Sequence, residues 1–137
     1  EYGFGGVIAA LPGFAKISDG ISTTFTNPLV NGAVTTSALA GVTGSASGGM
    51  GIALGAMANK YNQAIAAANI PPAVMHRVVA MASGGMGTLP HNGAVITLLA
   101  VTGLTHKQSY RDIFAITIIK TVAVFFVIAI YTFLGLV

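Results

Sequence analysis

The sequence predicts an all-α integral membrane protein, built as a polytopic bundle whose helices are broken or re-entrant. Of its 137 residues, 54% are hydrophobic and only 7% are charged, whereas a soluble domain needs roughly a quarter of its residues charged. The mean hydropathy is +0.82. Most side chains are therefore expected to face lipid or other membrane helices, and residues 1–137 are predicted to form a single membrane domain.

The first half of the chain is predicted to contain one helix-break-helix unit, at residues 28–59. Pro28 favours the first turn of a helix, and the glycines of residues 44–49 interrupt it before a second helix. This unit is either a re-entrant hairpin or a broken crossing. The apolar segment 1–15 is interpreted as the end of a helix, and residues 60–70 as an interfacial connection.

Residues 72–104 are predicted to form a broken membrane helix. The interruption lies at residues 83–93, which contain four glycines and one proline. The short loop at residues 105–112 carries Lys107 and Arg111, so the positive-inside tendency places it in the cytoplasm.

A transmembrane helix is predicted at residues 113–137. This stretch of 25 residues contains one charge, Lys120, and it is long enough to cross about 30 Å of hydrocarbon. Lys120 either snorkels to the cytoplasmic surface or faces the bundle interior. Its polar residues share one stripe at helical spacing, which is expected to face protein. The stripe consists of Thr117, Lys120, Thr121, Tyr131 and Thr132.

The sequence ASGGMG occurs twice, at residues 46–51 and 82–87. Glycine-rich composition alone is one explanation of this repeat. The other is a shared structural role, which we favour because both copies fall at predicted helix breaks.

The two glycine-rich breaks are the predicted substrate site. In hydrocarbon, unwound backbone is tolerated only where it is buried or lines a cavity, and transporters use the ends of broken helices to hold ions and anions. Hydroxyl, imidazole, amide and backbone donors suit a carboxylate and a hydroxyl. The candidate residues are Ser45, Ser47, Gly48, Gly49, Ser83, Gly84, Gly85, Thr88, His91 and Asn92. Alternatively, these glycines and serines only permit tight helix packing.

Three further polar residues, one in the second break and two around Pro28, are assigned roles from the sequence. Histidine changes charge near neutral pH, so His91 is the candidate for proton coupling, and a neutral structural or substrate-contacting role is the alternative. Asn27 is predicted to cap the helix at Pro28. Asn31 lies four residues further along on the same helix face, and it either points at the transport pathway or does not.

Other function classes are excluded or disfavoured by the sequence. The six Lys and Arg residues are scattered, which does not fit nucleic-acid binding. The chain has no cysteine, and it lacks the HExxH, GxSxG and P-loop motifs. We therefore expect no enzyme activity, no metal and no cofactor.

Four segments together carry a resemblance to a known family. They are GSASGGM at residues 44–50, MASGGM at 81–86, TLPHNGAVITLLAVTG at 88–103 and SYRDIF at 109–114. These segments resemble the C-terminal part of the gluconate permease family, and its hydroxy-acid and hydroxybutyrate permeases in particular. The run at residues 88–103 is the most specific. The resemblance implies the C-terminal part of a permease about three times this length, of the ion transporter superfamily type.

The resemblance also implies a function, namely proton-coupled symport of a gluconate- or 3-hydroxybutyrate-type anion. The protein would be a multi-pass component of the cytoplasmic (inner) membrane, with self-association left open. The expected partners are the organic anion, a proton and the bilayer. One departure is Gly87, at a position where the family pattern often has an acidic residue. The alternative function is a non-transporting scaffold or channel-like subunit.

Overall fold

The computed structural model describes residue 7 and residues 10–135, apart from the side chains of residues 14, 15, 18 and 22. Every regular element in the described part of the chain is helical, which confirms the all-α prediction. Most of the helix end predicted within residues 1–15 lies outside the described residues. The elements are α1 (Pro12–Thr24), α2 (Pro28–Thr43), α3 (Ala46–Ala67), α4 (Pro72–Gly85), a 3₁₀ turn (Met86–Thr88), α5 (Gly93–Thr102) and α6 (His106–Phe133).

Helix α2 is capped at both ends by residues suited to the position. The side chain of Asn27 accepts hydrogen bonds from the backbone N–H groups of Leu29 and Val30, at 2.9 and 3.3 Å. This confirms Asn27 as the predicted cap. At the other end, Gly44 has φ of +61°, a left-handed conformation that glycine adopts without the steric penalty of a Cβ.

The break after α2 is shorter than the sequence predicts. It comprises only Gly44 and Ser45, because Ser45 Oγ accepts a hydrogen bond from Gly48 N at 3.1 Å and thereby starts α3 at once. Helix α3 also continues to Ala67, so the connection predicted at residues 60–70 is wrong for most of its length. The physical reason is an apolar face, since α3 continues to bury side chains one turn apart at Tyr61 and Ile65.

The second interruption is also narrower than predicted. Helix α4 extends to Gly85, the 3₁₀ turn follows, and α5 begins at Gly93. The start of α5 is fixed by Asn92, whose Oδ1 accepts a hydrogen bond from Ala94 N at 2.8 Å. The unwound stretch is therefore residues 86–92.

Helix α6 begins at His106, seven residues before the predicted start at residue 113. The backbone N–H and the hydroxyl of Thr105 both donate to Gln108 Oε1, at 2.9 and 2.8 Å, and this contact closes the first turn. Residues 106–112, predicted as part of a loop, are therefore helical. Among the described helices, α6 is the one long and apolar enough to cross a membrane. Only 17% of its most apolar 18-residue segment is buried, whereas the core helix of a soluble protein is mostly buried.

Helix α2 is at the centre of the bundle. It packs against α3 on one side and α4 on another, and α4 packs against α6. Small residues allow the closest approach, as in other membrane helix pairs. A Cβ placed on Gly49 of α3 would lie 2.3 Å from the backbone N of Ala40 in α2. The two helices therefore cross with their backbones in contact at this point.

The polar stripe of α6 faces α4 along part of its length. Thr117 is buried and shares a short hydrogen bond with the hydroxyl of Thr88, and Thr121 packs against Gly85. Lys120 is exposed, and its Nζ lies 3.5 Å from the carbonyl oxygen of Gly84, at the limit of a hydrogen bond. The remaining members of the stripe are Tyr131, which is half-buried, and Thr132, which is exposed.

Candidate functional site

The two copies of the repeat meet in the folded chain, although their local conformations differ. The copy at residues 46–51 begins α3, whereas the copy at residues 82–87 ends α4 and enters the 3₁₀ turn. Their point of contact is Gly87, where an added Cβ would lie 3.4 Å from the Cβ of Ala46. The two glycine-rich breaks are therefore neighbours in space, although 36 residues separate the two copies along the sequence.

A cavity of about 270 Å³ lies between the two breaks, and we call it the inter-break cavity. Three of its lining residues, Ser45, Ser47 and Asn92, are predicted site residues. The full lining is Ser45, Ala46, Ser47, Gly87, Asn92 and Ala94. It contains no acidic side chain, so an anion placed here meets no carboxylate among the lining residues.

Two helix N-termini converge on the inter-break cavity. Ala46 is the first residue of α3 and Ala94 is the second residue of α5. The N–H groups of a first turn have no partner within the helix, and the aligned peptide dipoles leave partial positive charge there. Carboxylates and other anions bind at such ends. In transporter sites, too, the N-termini of discontinuous helices point at anionic groups of the substrate.

Asn92 supplies the clearest side-chain donor in the cavity. Its Oδ1 is committed to Ala94 N, and this fixes the orientation of the amide, so that Nδ2 is the remaining group. No described residue accepts a hydrogen bond from Nδ2. Asn92 is only 5% exposed, and Nδ2 lies 3.9 Å from where a Cβ of Gly87 would be. With glycine at position 87, no side chain of that residue contacts this donor.

The two serines of the first break add hydroxyl groups to the same cavity. Ser45 is buried and holds the first turn of α3, and its Oγ lies 3.4 Å from the Oγ of Ser47. Ser47 is exposed and is the more accessible of the two. The cavity thus combines one amide donor, two hydroxyls and two helix ends.

His91 belongs to the second break, but it does not line the inter-break cavity. Its Nε2 is 2.8 Å from the carbonyl oxygen of Gly41. Because a carbonyl can only accept, Nε2 carries the proton in this contact. A Cβ on Gly44 would lie 2.8 Å from the ring carbon Cδ2 of His91. His91 therefore ties the second break to the end of α2, and this contact requires a residue without a side chain at position 44.

Two other predicted hydroxyls are directed at protein groups. The hydroxyl of Ser83 donates to the carbonyl of Ala80 at 2.8 Å within α4. Thr88 bonds to Thr117 and to the carbonyl of Gly85, the latter at 3.3 Å. Neither residue lines the inter-break cavity.

Two of the four predicted glycines, Gly49 and Gly85, lie at contacts between helices. A Cβ on Gly85 would lie 2.9 Å from Thr121 Oγ1 of α6, and Gly49 is at the crossing with α2. Gly48 donates its N–H to Ser45. Gly84 has open space around its would-be Cβ, and its carbonyl faces Lys120.

Sequence reasoning missed three lining positions, Ala46, Gly87 and Ala94. The two alanines carry no reactive group, and they matter only because each stands in the first turn of a helix. Both positions could have been found from the sequence. Ala46 directly follows the N-cap residue Ser45, and Ala94 is two residues after the N-cap residue Asn92. Asn31, for which two roles were open, is buried and donates to the carbonyl oxygens of Ile21 and Phe25 at the end of α1.

Comparisons with known proteins find a full-length match of this chain to part of a bacterial protein. The chain is 81% identical over all 137 residues to the uncharacterized transporter YxjC of Bacillus subtilis (strain 168), and it spans 29% of that protein's length. No protein-family model matches the chain, and no solved structure matches it. The similarity and the long apolar helix α6 both fit a helical membrane protein.

Proposed function

We propose that this chain is part of a secondary active transporter that carries a small hydroxy-carboxylate across the cytoplasmic membrane in symport with protons. The observation that carries the proposal is the inter-break cavity, where the N-termini of α3 and α5 and the amide of Asn92 converge without any acidic lining residue. The similarity to a bacterial transporter supports the same class of function.

In this proposal, one set of cavity residues binds the carboxylate of the substrate and another set binds its hydroxyl. The carboxylate is held between the helix N-termini and Asn92 Nδ2, where donors and positive dipole ends face it. The substrate hydroxyl exchanges hydrogen bonds with Ser45 and Ser47, since hydroxyls both donate and accept. The cavity of about 270 Å³ has room for a small organic acid of the 3-hydroxybutyrate or gluconate type.

Proton coupling is assigned to His91. Its Nε2–H donates a hydrogen bond to the carbonyl oxygen of Gly41, so an added proton binds at Nδ1 and leaves this hydrogen bond intact. His91 directly precedes the cavity residue Asn92, and a positive ring there stabilises an anion in the cavity more than a neutral ring does. Position 87 is a glycine and supplies no acid for this purpose, whereas the imidazole of His91, next to the lining residue Asn92, can take up a proton.

The scaffold alternative has its own supporting observations. Gly49 and Gly85 make close helix contacts of the kind that glycine provides in membrane bundles. In that case the breaks serve only packing, and the cavity holds water.

Uptake by the full-length protein in proteoliposomes separates these two functions. Under an inward proton gradient we expect labelled 3-hydroxybutyrate to accumulate above its equilibrium level, and a protonophore to abolish the accumulation. Empty vesicles are the control. The absence of uptake of both 3-hydroxybutyrate and gluconate would favour the scaffold. His91→Gln, which retains an N–H for Gly41, is expected to exchange substrate without accumulating it, and unchanged accumulation would exclude His91 from coupling.

A further inference from the structure

A second, larger pocket of about 660 Å³ lies between the second break and the start of α6, and we call it the basic pocket. Its residues come from two places, the loop before α5 and the first two turns of α6. They are Pro90, His91, His106, Lys107, Tyr110 and Arg111. The pocket is open and four of its six side chains are basic, while none is acidic.

The two walls of the basic pocket are joined by specific contacts. The Nε2 of His106 is 3.0 Å from the carbonyl oxygen of Pro90, which connects α6 to the loop. The rings of His106 and Tyr110 have centroids 6.2 Å apart, so an aromatic surface forms part of the wall. The pocket is thus built by a hydrogen bond and ring packing between two separate segments.

Lys107 and Arg111 provide the charge of this pocket. They are four residues apart on α6 and therefore on one face of the helix, and both are exposed. Among the described residues, neither forms an ion pair. Asp112 is adjacent in sequence to Arg111 but does not line the pocket. Two fixed positive charges consequently remain available to an anion from solution.

The basic pocket and the inter-break cavity are lined by consecutive residues of the second break. His91 lines the first and its neighbour Asn92 lines the second. We propose that the basic pocket is a capture site on the side expected to be cytoplasmic, in which Lys107 and Arg111 hold the substrate carboxylate as it passes between the inter-break cavity and the cytoplasm. This inference rests on the proposed function.

The physical consequence of such a site is a salt-dependent affinity. A basic surface beside a binding site raises the local concentration of anions and their association rate. Dissolved salt screens this effect over about 10 Å at 0.1 M. Hydrogen bonds to a substrate inside the cavity would act over about 3 Å, well within the screening length, so they should respond far less to salt.

The test compares charge-removing variants of the full-length protein in the binding of labelled 3-hydroxybutyrate and gluconate. In the double variant Lys107→Gln, Arg111→Gln we expect affinity about fivefold lower at low salt and within about twofold of the natural protein at 0.3 M. The matched control is Lys60→Gln, Arg77→Gln, which also removes two exposed charges, neither of which lines the pocket. Its affinity should be unchanged at both salt concentrations.

The other outcomes overturn the inference in distinguishable ways. Equal affinities of the double variant and the natural protein at low salt would refute the capture site and leave the proposed function standing. If neither acid binds the natural protein, the proposed function fails and the capture site with it. The remaining source of an anion is a lipid headgroup. If phosphatidylglycerol vesicles stabilise the natural protein but not the double variant, while affinity for the acids is equal, the pocket binds lipid.

Discussion

Replacing Gly49 by alanine is expected to prevent stable packing of α2 against α3. The added Cβ would lie 2.3 Å from the N and 2.4 Å from the Cα of Ala40. Both are backbone atoms, so no side-chain rotation relieves the overlap, and the two helices must move apart. Overpacking of this kind costs about 1–3 kcal/mol or more, and here it falls on the crossing of the central helix. The measurement is thermal unfolding of the purified full-length protein, together with its monodisperse yield.

Two glycines of the same helix are matched controls for this substitution. Gly51 and Gly55 have no atom within 4 Å of an added Cβ, and alanine is the better helix former by about 1 kcal/mol. Gly51→Ala and Gly55→Ala should therefore unfold at the same temperature as the natural protein or higher. If Gly49→Ala were as stable as Gly55→Ala, the close crossing of α2 and α3 would be refuted.

Asn92→Asp is expected to abolish binding of the carboxylate substrate without unfolding the protein. An aspartate oxygen can still accept the hydrogen bond from Ala94 N, and it is a good cap at a helix N-terminus. The substitution removes the Nδ2 donor and places a negative charge in the inter-break cavity. Two like charges about 4 Å apart repel by about 4 kcal/mol at an intermediate dielectric, so affinity should fall at least about fiftyfold. Equilibrium binding of labelled 3-hydroxybutyrate measures this loss.

Asn92→Ser separates the charge from the lost donor. Serine also caps helices but adds no charge, so we expect a loss of about tenfold, in line with one hydrogen bond to a charged group. Both variants should unfold within a few degrees of the natural protein. Unchanged affinity in Asn92→Asp would mean that the anion binds outside the inter-break cavity.

The helical fold follows from local signals that the sequence shows directly. The Asn-Pro pair at residues 27–28 predicts both a cap and a first turn, and the structure contains both. The lengths of the breaks were harder to predict because glycine has two uses in membrane helices. The glycines at 48, 49 and 51 resemble a loop, yet Ser45 caps the turn that contains the first of them, and Gly49 is required by packing inside α3.

Helix ends at the polar segments were mispredicted for a related reason. The sequence indicates polarity between residues 60 and 70, but Tyr61 and Ile65 continue the buried face of α3. Similarly, Lys107 and Arg111 look like loop residues until the contact of Thr105 with Gln108 shows that α6 has already begun. In both cases the polar residues lie on the exposed face of a continuous helix, and their polarity was interpreted as a loop.

The sequence identifies the right segments for the site but not the directions of their side chains. Ser45, Ser47, Ser83 and Thr88 are equivalent as hydroxyl donors in a sequence. Only the tertiary structure shows that the first two line the inter-break cavity, while Ser83 bonds within its own helix and Thr88 bonds to α6. The convergence of two helix N-termini also depends on how α4 turns back towards α3, which no local pattern encodes.

The most direct test of the central claim is whether substrate occupies the inter-break cavity. The 137 residues contain no cysteine, so Ser47→Cys places one thiol in this part of the protein, at an exposed position of the cavity lining. The full-length protein, with any other cysteines replaced, is treated with a charged thiol reagent with and without saturating 3-hydroxybutyrate. Gln63→Cys, exposed on the same helix and outside the cavity, is the control.

Bound substrate is expected to slow modification of Ser47→Cys at least about tenfold, because a filled cavity of this size excludes the reagent, and to leave Gln63→Cys unaffected. Equal modification rates of Ser47→Cys with and without an acid that the protein binds would contradict the assignment of the inter-break cavity as the substrate site.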